Sequence, residues 1–336
     1  MANLSHNEAL FNFLSLARRG PGRDHFAPDE VAQISRTTRR TPEVMVKVLG
    51  RGGQDLKSVR HHLDYLRVRE DGDVPIETDD GRHLGGRSAG NELLEDWDLD
   101  LDDLRPRSEL DPHGGGSKKL VHKLMFSMQA GTPPDKVLAA VKNFAREEFA
   151  LRHRYAMVLH TDEPHPHVHM VVKAMSEQGE RLHIRMNTLR EWRQAFARHL
   201  RSLGVAANAT DRSVRGVTEA RKLDGIYRPA HPKPGERPRF STHMRRREEA
   251  VAAEIRAGGL KAERSKAKLL ATRRSIELGW QAASEILLRQ GQPELAADVR
   301  RFVLEMPPAV TEKEFLAMRF LEREREPRTR GPPISR

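Results

Sequence analysis

The stretch His160-Thr-Asp-Glu-Pro-His-Pro-His-Val-His-Met-Val-Val172 constrains this chain most, because it places four histidines and an aspartate within ten residues. Alternate side chains of a β-strand share a face, so His167 and His169 would point one way and the apolar residues between them towards a core. His160 ends a second apolar run, and the two prolines in between predict a hairpin turn. The pattern therefore predicts that His160, His167 and His169 meet at one site, as ligands of a metal ion.

Asp162 lies in the predicted turn, where its carboxylate would accept a ring N–H from a ligating histidine and fix the tautomer of that ring. His165 stands between the two prolines, and we expect it in the turn rather than on a strand. The competing interpretation is a polar hairpin tip that is merely rich in histidine, in a chain that has 16 of them. That interpretation suffices for any single histidine but not for three at strand spacing.

The charge distribution favours a polyanionic partner. The formal net charge is +11, yet residues 70–111 contain 15 acidic and 4 basic residues, which leaves 55 basic and 33 acidic residues elsewhere. Such a surplus favours nucleic acid. No apolar run has membrane-spanning length, no signal-peptide pattern opens the chain, and the absence of cysteine excludes disulfides and thiolate chemistry. We therefore expect a cytoplasmic protein without membrane insertion.

The composition changes along the chain predict three parts. Residues 1–41 read as a partly ordered basic arm, and residues 42–230 as the main folded domain, with an acidic, glycine-rich and poorly packed insertion at about 70–118. Residues 231–336 read as a basic, mostly helical region that ends in a disordered tail.

A helix is predicted from its cap Asp55 to about Arg69, with a leucine-rich stripe on one side. Tyr65 lies nearly opposite that stripe, on a polar and basic face. Taken alone, Tyr65 would be an ordinary surface tyrosine. A strand over 119–128 follows the insertion, and a basic loop, Asn208-Ala-Thr-Asp-Arg-Ser-Val-Arg-Gly216, follows the histidine hairpin.

Three features in order resemble the motifs of a known family. They are Asp64-Tyr-Leu66 on the helix, the strand ending Phe126-Ser-Met-Gln-Ala-Gly131, and His160-x-Asp162-x-x-His165-Pro-His167-x-His169. Together they are similar to the motifs of MOBP-type plasmid relaxases, close to the T-DNA border endonuclease group of the HUH endonuclease superfamily. The resemblance covers about residues 43–228.

The resemblance implies an α+β fold, in which a central antiparallel sheet of about five strands carries a metal site on one face and helices behind it. A helical C-terminal region would follow. Tyr65 would be the nucleophile, with Asp162 supporting or activating, and His160, His167 and His169 would bind the metal ion. Ser127 would contact DNA near the scissile phosphate. Arg212 and Arg215, in a loop similar to the family's segment after the catalytic domain, are predicted to bind DNA.

The implied reaction is metal-assisted transesterification at the nic site of an origin of transfer, which gives a 5′-phosphotyrosyl adduct and a free 3′-hydroxyl that can reseal the strand. The family works with magnesium or manganese, while three imidazoles would also suit zinc. Implied partners are origin DNA, single-stranded at the nic site, accessory relaxosome proteins and a type IV secretion coupling protein. The protein would be bacterial and could be translocated to a recipient cell with the DNA.

Three other functions fit part of the pattern. A rolling-circle replication initiator or transposase of the same superfamily would share the chemistry. A histidine-triad nucleotide hydrolase would use His165-x-His167-x-His169, which requires His165 on the strand. A non-catalytic DNA-binding protein would retain only the fold.

Overall fold

The structure is a computed structural model that describes residues 25–50, 53–69, 72–104, 119–218 and 242–325. The described chain divides into two compact units. The first contains residues 39–209, and the second contains residues 25–38 together with 210–325.

A six-stranded antiparallel sheet forms the centre of the first unit, in the order β1-β6-β8-β7-β4-β5. Its strands are β1 (Met45–Val48), β4 (Ile76–Thr78), β5 (His83–Leu84), β6 (Val121–Ser127), β7 (Tyr155–His160) and β8 (His167–Lys173). Two further short strands, β2 (Val68–Arg69) and β3 (Gly72–Asp73), pair with each other. The α+β class and the antiparallel sheet are confirmed, and the sheet has six strands where about five were expected.

Five helices of the first unit flank this sheet. Numbering from the N-terminal helix of the described chain, they are α2 (Leu56–Arg67), α3 (Ala89–Asp96), α4 (Leu99–Leu104), α5 (Pro134–Phe149) and α6 (Met186–Ser202). Helices α5 and α6 cover one face, where an aromatic cluster fills the core: Phe126, Phe144, Phe149, Trp192 and Phe196. Their rings meet edge-on or tilted at centroid distances of 4.9–5.9 Å, which is a favourable arrangement for aromatic pairs.

Helix α2 packs on the opposite face through Val59, Leu63 and Leu66. The helix begins as predicted, because the Asp55 carboxylate accepts the backbone N–H of its third residue at 2.8 Å. Just before this cap, Gly53 has φ of +89°, and its carbonyl oxygen accepts the N–H of Leu120 at 2.6 Å. A residue with a Cβ would not fit here, because the backbone of Gly53 lies against the start of β6. The glycine therefore positions the start of α2 on the sheet.

The predicted insertion is packed in its described part, so the expectation of poor packing is wrong for residues 72–104. Its strands β4 and β5 extend the sheet, and Leu93, Trp97 and Leu99 are fully buried beneath α2. Several acidic residues there have structural partners: the Arg154 guanidinium lies 2.7 Å from Asp79 and 2.8 Å from Asp96. Residues 105–118 lie outside the described chain.

The second unit is helical, which confirms the predicted helical character for 242–325. Its helices are α1 (Pro28–Thr38), α7 (Thr242–Arg256), α8 (Arg264–Arg289), α9 (Pro293–Leu304) and α10 (Glu312–Arg325). Trp280 is fully buried against Phe302, with ring centroids 5.1 Å apart, and Ile34 of α1 belongs to the same core. Part of the predicted arm, 25–38, is thus a packed element, while 1–24 and the predicted disordered tail from 326 lie outside the described residues. Within the described chain, no helix combines the length and apolarity that a membrane crossing requires.

Candidate metal centre

Three histidines meet at the end of the hairpin formed by β7 and β8. His160 and His167 are paired across the two strands, and His169 lies two residues further along β8. One ligand atom from each ring lies within 4.8 Å of the others. His160 is 2% exposed and His167 9% exposed, so water around their rings is limited. The structure therefore brings together the three residues predicted as metal ligands.

Backbone carbonyls set the tautomers of two of these rings. His160 Nε2 donates to the Leu66 carbonyl at 2.9 Å, and His167 Nδ1 donates to the His165 carbonyl at 3.0 Å. The other two ring nitrogens, His160 Nδ1 and His167 Nε2, face each other across 3.3 Å, an arrangement in which both could bind one cation. Three imidazoles, two of them with tautomers set by backbone carbonyls, are a donor set that fits a divalent transition-metal ion or zinc.

Asp162 does not orient the His160 and His167 rings. It is exposed in the turn between β7 and β8, and the acceptors of those two ring N–H groups are the Leu66 and His165 carbonyls. Asp162 had been expected in this role because a carboxylate is a common partner of a ligating imidazole. A backbone carbonyl performs the same task wherever the fold supplies one.

His165 lies in the turn, as expected, and its Nδ1 contacts the Met128 carbonyl at 3.3 Å. The histidine-triad hydrolase alternative requires this residue on the strand, so the structure does not support that alternative.

Ser127 is the last residue of β6 and pairs directly with His167 across the sheet. Directly paired residues of antiparallel strands project from the same face, so Ser127 and the three histidines share a face. Its hydroxyl is buried and donates to the Met128 carbonyl at 3.3 Å. The structure thus places the predicted DNA contact one strand away from the histidines.

Tyr65 lies on α2 between two residues that contact the histidine centre. One turn earlier, the His62 ring packs edge-on against His169, with centroids 6.4 Å apart. One residue later, the Leu66 carbonyl accepts the N–H of His160. Tyr65 itself is 59% exposed. The helix that carries this accessible phenol is therefore attached to the histidine centre on both sides of Tyr65.

His62 is a site residue that the sequence interpretation missed. Its pKa is lowered to about 3, chiefly by burial and further by electrostatic effects of the nearby basic side chains Lys123, His61 and His160. The ring is thus neutral at physiological pH. The available signal was its position three residues before Tyr65, which places both on one helical face.

Arg212 and Arg215 belong to the second unit, in a turn that the helical core holds in place. Trp280 Nε1 donates to the Val214 carbonyl at 2.9 Å, and the Arg273 guanidinium donates to the Gly216 carbonyl at 2.6 Å. Arg212 is exposed and Arg215 half-buried. Their predicted role in DNA binding stays a prediction.

Residues 89–205 match the family model described as "Relaxase: MobA/VirD2-like, nuclease domain". Two curated relatives are T-DNA border endonuclease VirD2 proteins. The protein from Agrobacterium fabrum is 27% identical over 195 residues, 53% of this chain and 41% of the relative. The protein from Rhizobium radiobacter is 24% identical over 201 residues, 53% of this chain and 44% of the relative. The match thus spans less than half the length of these relatives, and it confirms the resemblance to relaxases. The family match contains Ser127 and the three histidines, and it begins after Tyr65.

Proposed function

We propose that this protein is a DNA relaxase, a site- and strand-specific endonuclease that nicks one strand at an origin of transfer and later reseals it. The single observation that carries the proposal is the attachment of α2 to the histidine centre on both sides of Tyr65. His62 packs on His169, and the Leu66 carbonyl binds His160. An exposed tyrosine beside three inward-facing imidazoles suits attack on a phosphodiester better than activation of water.

In the proposed reaction, the phenolic oxygen of Tyr65 attacks the phosphorus atom of one phosphodiester. The new oxygen–phosphorus bond replaces the bond to the 3′-oxygen, which leaves as a 3′-hydroxyl after taking up a proton. The product is a 5′-phosphotyrosyl ester, and the reverse attack by the 3′-hydroxyl reseals the strand. Because the ester retains the phosphodiester as a reactive bond, no external energy source is required.

Each residue of the centre has a task in this reaction. A phenol is mostly protonated at neutral pH and is a weak nucleophile without help. His160, His167 and His169 would hold a divalent ion, magnesium or manganese with zinc as the alternative, and such an ion withdraws charge from phosphate oxygens. Ser127 lies in the same cross-strand row and would donate to the substrate phosphate from its hydroxyl. Asp162, on the exposed turn, would act on the substrate side of the centre.

The substrate would be origin-of-transfer DNA, single-stranded around the nic site, in the cytoplasm of a bacterial donor. The basic surplus of the chain would hold the phosphate backbone, with Arg212 and Arg215 among the contacts. Relaxosome accessory proteins, a type IV secretion coupling protein and translocation to a recipient cell complete the proposal. The domain boundaries we propose for this activity are residues 42–230.

The experiment that tests the proposal captures the covalent adduct. The full-length protein is incubated with Mn²⁺ and a library of single-stranded oligonucleotides of randomised sequence, and the attached DNA is sequenced and mapped by mass spectrometry. We expect one linked tyrosine, Tyr65, and an enriched nic sequence. Tyr65→Phe should abolish the adduct, while the matched control Tyr155→Phe, buried on the other face of the sheet, should retain it.

An adduct that survives in Tyr65→Phe would refute the nucleophile assignment. A phosphohistidine adduct would favour nucleotide-hydrolase chemistry instead. Oligonucleotide binding without any adduct in the wild-type protein would indicate a DNA-binding protein without the nuclease reaction.

A further inference from the structure

Part of the sheet face that carries the histidine centre lies outside the cluster formed with α2. Two cross-strand rows reach this part from β8: Ser127 and Met45 continue the row of His167, while Met125 and Lys47 continue the row of His169. Residues that pair directly across antiparallel strands share a face. Met45, Lys47 and Met125 therefore form a continuous surface with the histidines, which we call the β1–β6 ledge.

The cover provided by α2 ends beside this ledge. Val59 and Leu63 of α2 share one hydrophobic cluster with Val121 and Val171, which lie deeper on the sheet than the ledge rows. Val158, also in this cluster, lies in the row of His169 but on β7, the side away from the ledge. Within the described residues, Met45 and Met125 belong to none of the hydrophobic clusters. Met45 is 43% exposed, and Lys47 and Met125 are half-buried.

The ledge combines positive charge with thioethers, since Lys47 pairs directly with Met125 and is two residues from Met45 on β1. Lys47 lies on it, and the neighbouring Lys123 is buried enough that its pKa is lowered by desolvation, with Lys119 adding a smaller effect. Thioethers are flexible and polarisable, and they make favourable contacts with aromatic rings of varied shape. Ammonium groups pair with phosphates. Together these groups suit a nucleotide, which offers one aromatic ring and one negative charge.

We propose that the β1–β6 ledge binds the nucleotide next to the reacting phosphate, with its base on Met45 and Met125 and a phosphate on Lys47. This inference rests on the proposed function, because it takes the substrate to be single-stranded DNA whose reacting phosphate lies at the histidines. Two strand spacings, about 10 Å, separate His167 from Met45, so the base would belong to a nucleotide about one or two positions from the nick. Thioether contacts adapt to any base, so the ledge adds affinity without strong sequence preference.

Methyl NMR of the full chain tests the ledge directly. The protein is labelled with ¹³C at the methionine methyls and titrated with a short oligo(dA) strand in EDTA, so that no cleavage occurs. The ring current of a stacked adenine should shift the Met45 and Met125 methyl signals, which are assigned from the Met45→Ala and Met125→Ala spectra. Met318 of the second unit is 46% exposed and is the matched control for unspecific contact. Met157 is 3% exposed on the other face of the sheet and is the control for a methionine that DNA cannot reach.

Affinity measurements give a second readout. Met45→Ala combined with Met125→Ala should weaken oligo(dA) binding about fivefold. Lys47→Ala should reduce the slope of log affinity against log salt by about 0.7, the share of one phosphate contact on a single strand. The matched control is Lys136→Ala, since Lys136 is half-buried on α5 behind the sheet. This variant loses the same charge away from the ledge and should leave the slope nearly unchanged.

The outcomes separate the ledge from the enzyme activity. Shifts at Met45 and Met125 with an unchanged Met318 support the ledge, even if the adduct experiment shows no nicking. A Tyr65 adduct without shifts at these two methyls leaves the relaxase proposal standing and overturns the ledge. Equal shifts at Met318, or a shift at only one of the two ledge methyls, also overturn it.

Discussion

The first unit should lose stability in mild acid because His122 is buried in β6. Burial is the main cause that lowers its pKa to about 4, and the positive charges of Lys119 and Arg181 act in the same direction, against the hydrogen bond to the Leu182 carbonyl. In the unfolded chain the imidazole has a pKa of about 6.5. Between these values the unfolded state binds more protons than the folded state, so the free energy of unfolding falls as the pH falls.

The magnitude follows from the two pKa values. A difference of about 2.5 between them corresponds to roughly 3 kcal/mol when the pH is below both. The unfolding free energy has its full value above about pH 6.5, where His122 is neutral in both states, and it falls by this amount as the pH approaches about 4. Between pH 7 and pH 5, the linkage relation gives a loss of about 2 kcal/mol for His122 alone.

His122→Gln isolates this contribution. His122 Nε2 donates to the Leu182 carbonyl at 3.0 Å, and a glutamine amide retains a donor for that oxygen. We expect the unfolding free energy of wild-type protein to fall between pH 7 and pH 5 by about 2 kcal/mol more than that of the variant. Hydrogen exchange of β6 and β8 peptides at both pH values measures this within the first unit.

His62 and His199 also have lowered pKa values, titrate in both proteins and cancel in the comparison. His153 cancels apart from its electrostatic effect on His122, which is the smallest of the causes that act on the His122 pKa. An identical pH dependence in wild type and variant would refute the reasoning, since it would mean that folding does not change the proton affinity of His122.

Three further predictions concern other parts of the structure. Gly53→Ala should lower the unfolding free energy by about 2 kcal/mol in urea, because φ is +89° and a Cβ would lie 2.8 Å from the Val121 carbonyl oxygen. Mn²⁺ at about 100 times its Kd should stabilise the wild type by about 2.7 kcal/mol in thermal unfolding, and His167→Ala should lose this effect. Arg273→Met removes hydrogen bonds to the Gly216 and Pro307 carbonyls at 2.6 and 2.7 Å, and should cost about 3 kcal/mol, seen as faster hydrogen exchange in 210–218.

Each of these changes has a matched control. Gly50→Ala meets nothing within 4 Å and should be nearly neutral. His165→Ala alters an exposed turn histidine and should retain the Mn²⁺ effect, so an equal loss would argue against the three-ligand assignment. Arg274→Met changes the exposed neighbour of Arg273 and should leave 210–218 protected. If Gly53→Ala matched its control, the close approach to β6 would be wrong.

The cluster of three histidines was predictable because its arrangement is local. His160 and His167 are joined by a six-residue turn, and strand alternation alone places His169 on the same side as His167. The apolar residues that alternate with the histidines on β8 face the core, and a shift of the strand by one residue would expose them to water, so only one register is favourable. The hairpin therefore determines the three-histidine geometry with little help from the rest of the fold.

The packing of residues 72–104 was not predictable in the same way. Its acidic composition is typical of a solvated segment, yet Asp79 and Asp96 pair with Arg154, which lies far along the chain. Likewise, α1 packs in a core whose other members follow residue 210. Composition indicates only the average polarity of a segment. These contacts depend on residues that are distant in sequence and adjacent in the fold, so composition does not reveal them.

The acceptor of the His160 ring N–H follows from how α2 ends. The last four carbonyls of a helix have no partner within it, and the Leu66 carbonyl is among them because α2 ends at Arg67. That oxygen is 94 positions from His160 in sequence, so no local pattern reveals it as the acceptor. The same helix end carries the negative pole of the helix dipole, which favours a cation nearby. The end of α2 therefore presents Tyr65, fixes the tautomer of His160 and favours the charge of a bound metal ion, so a change that extends this helix by one turn should impair all three together.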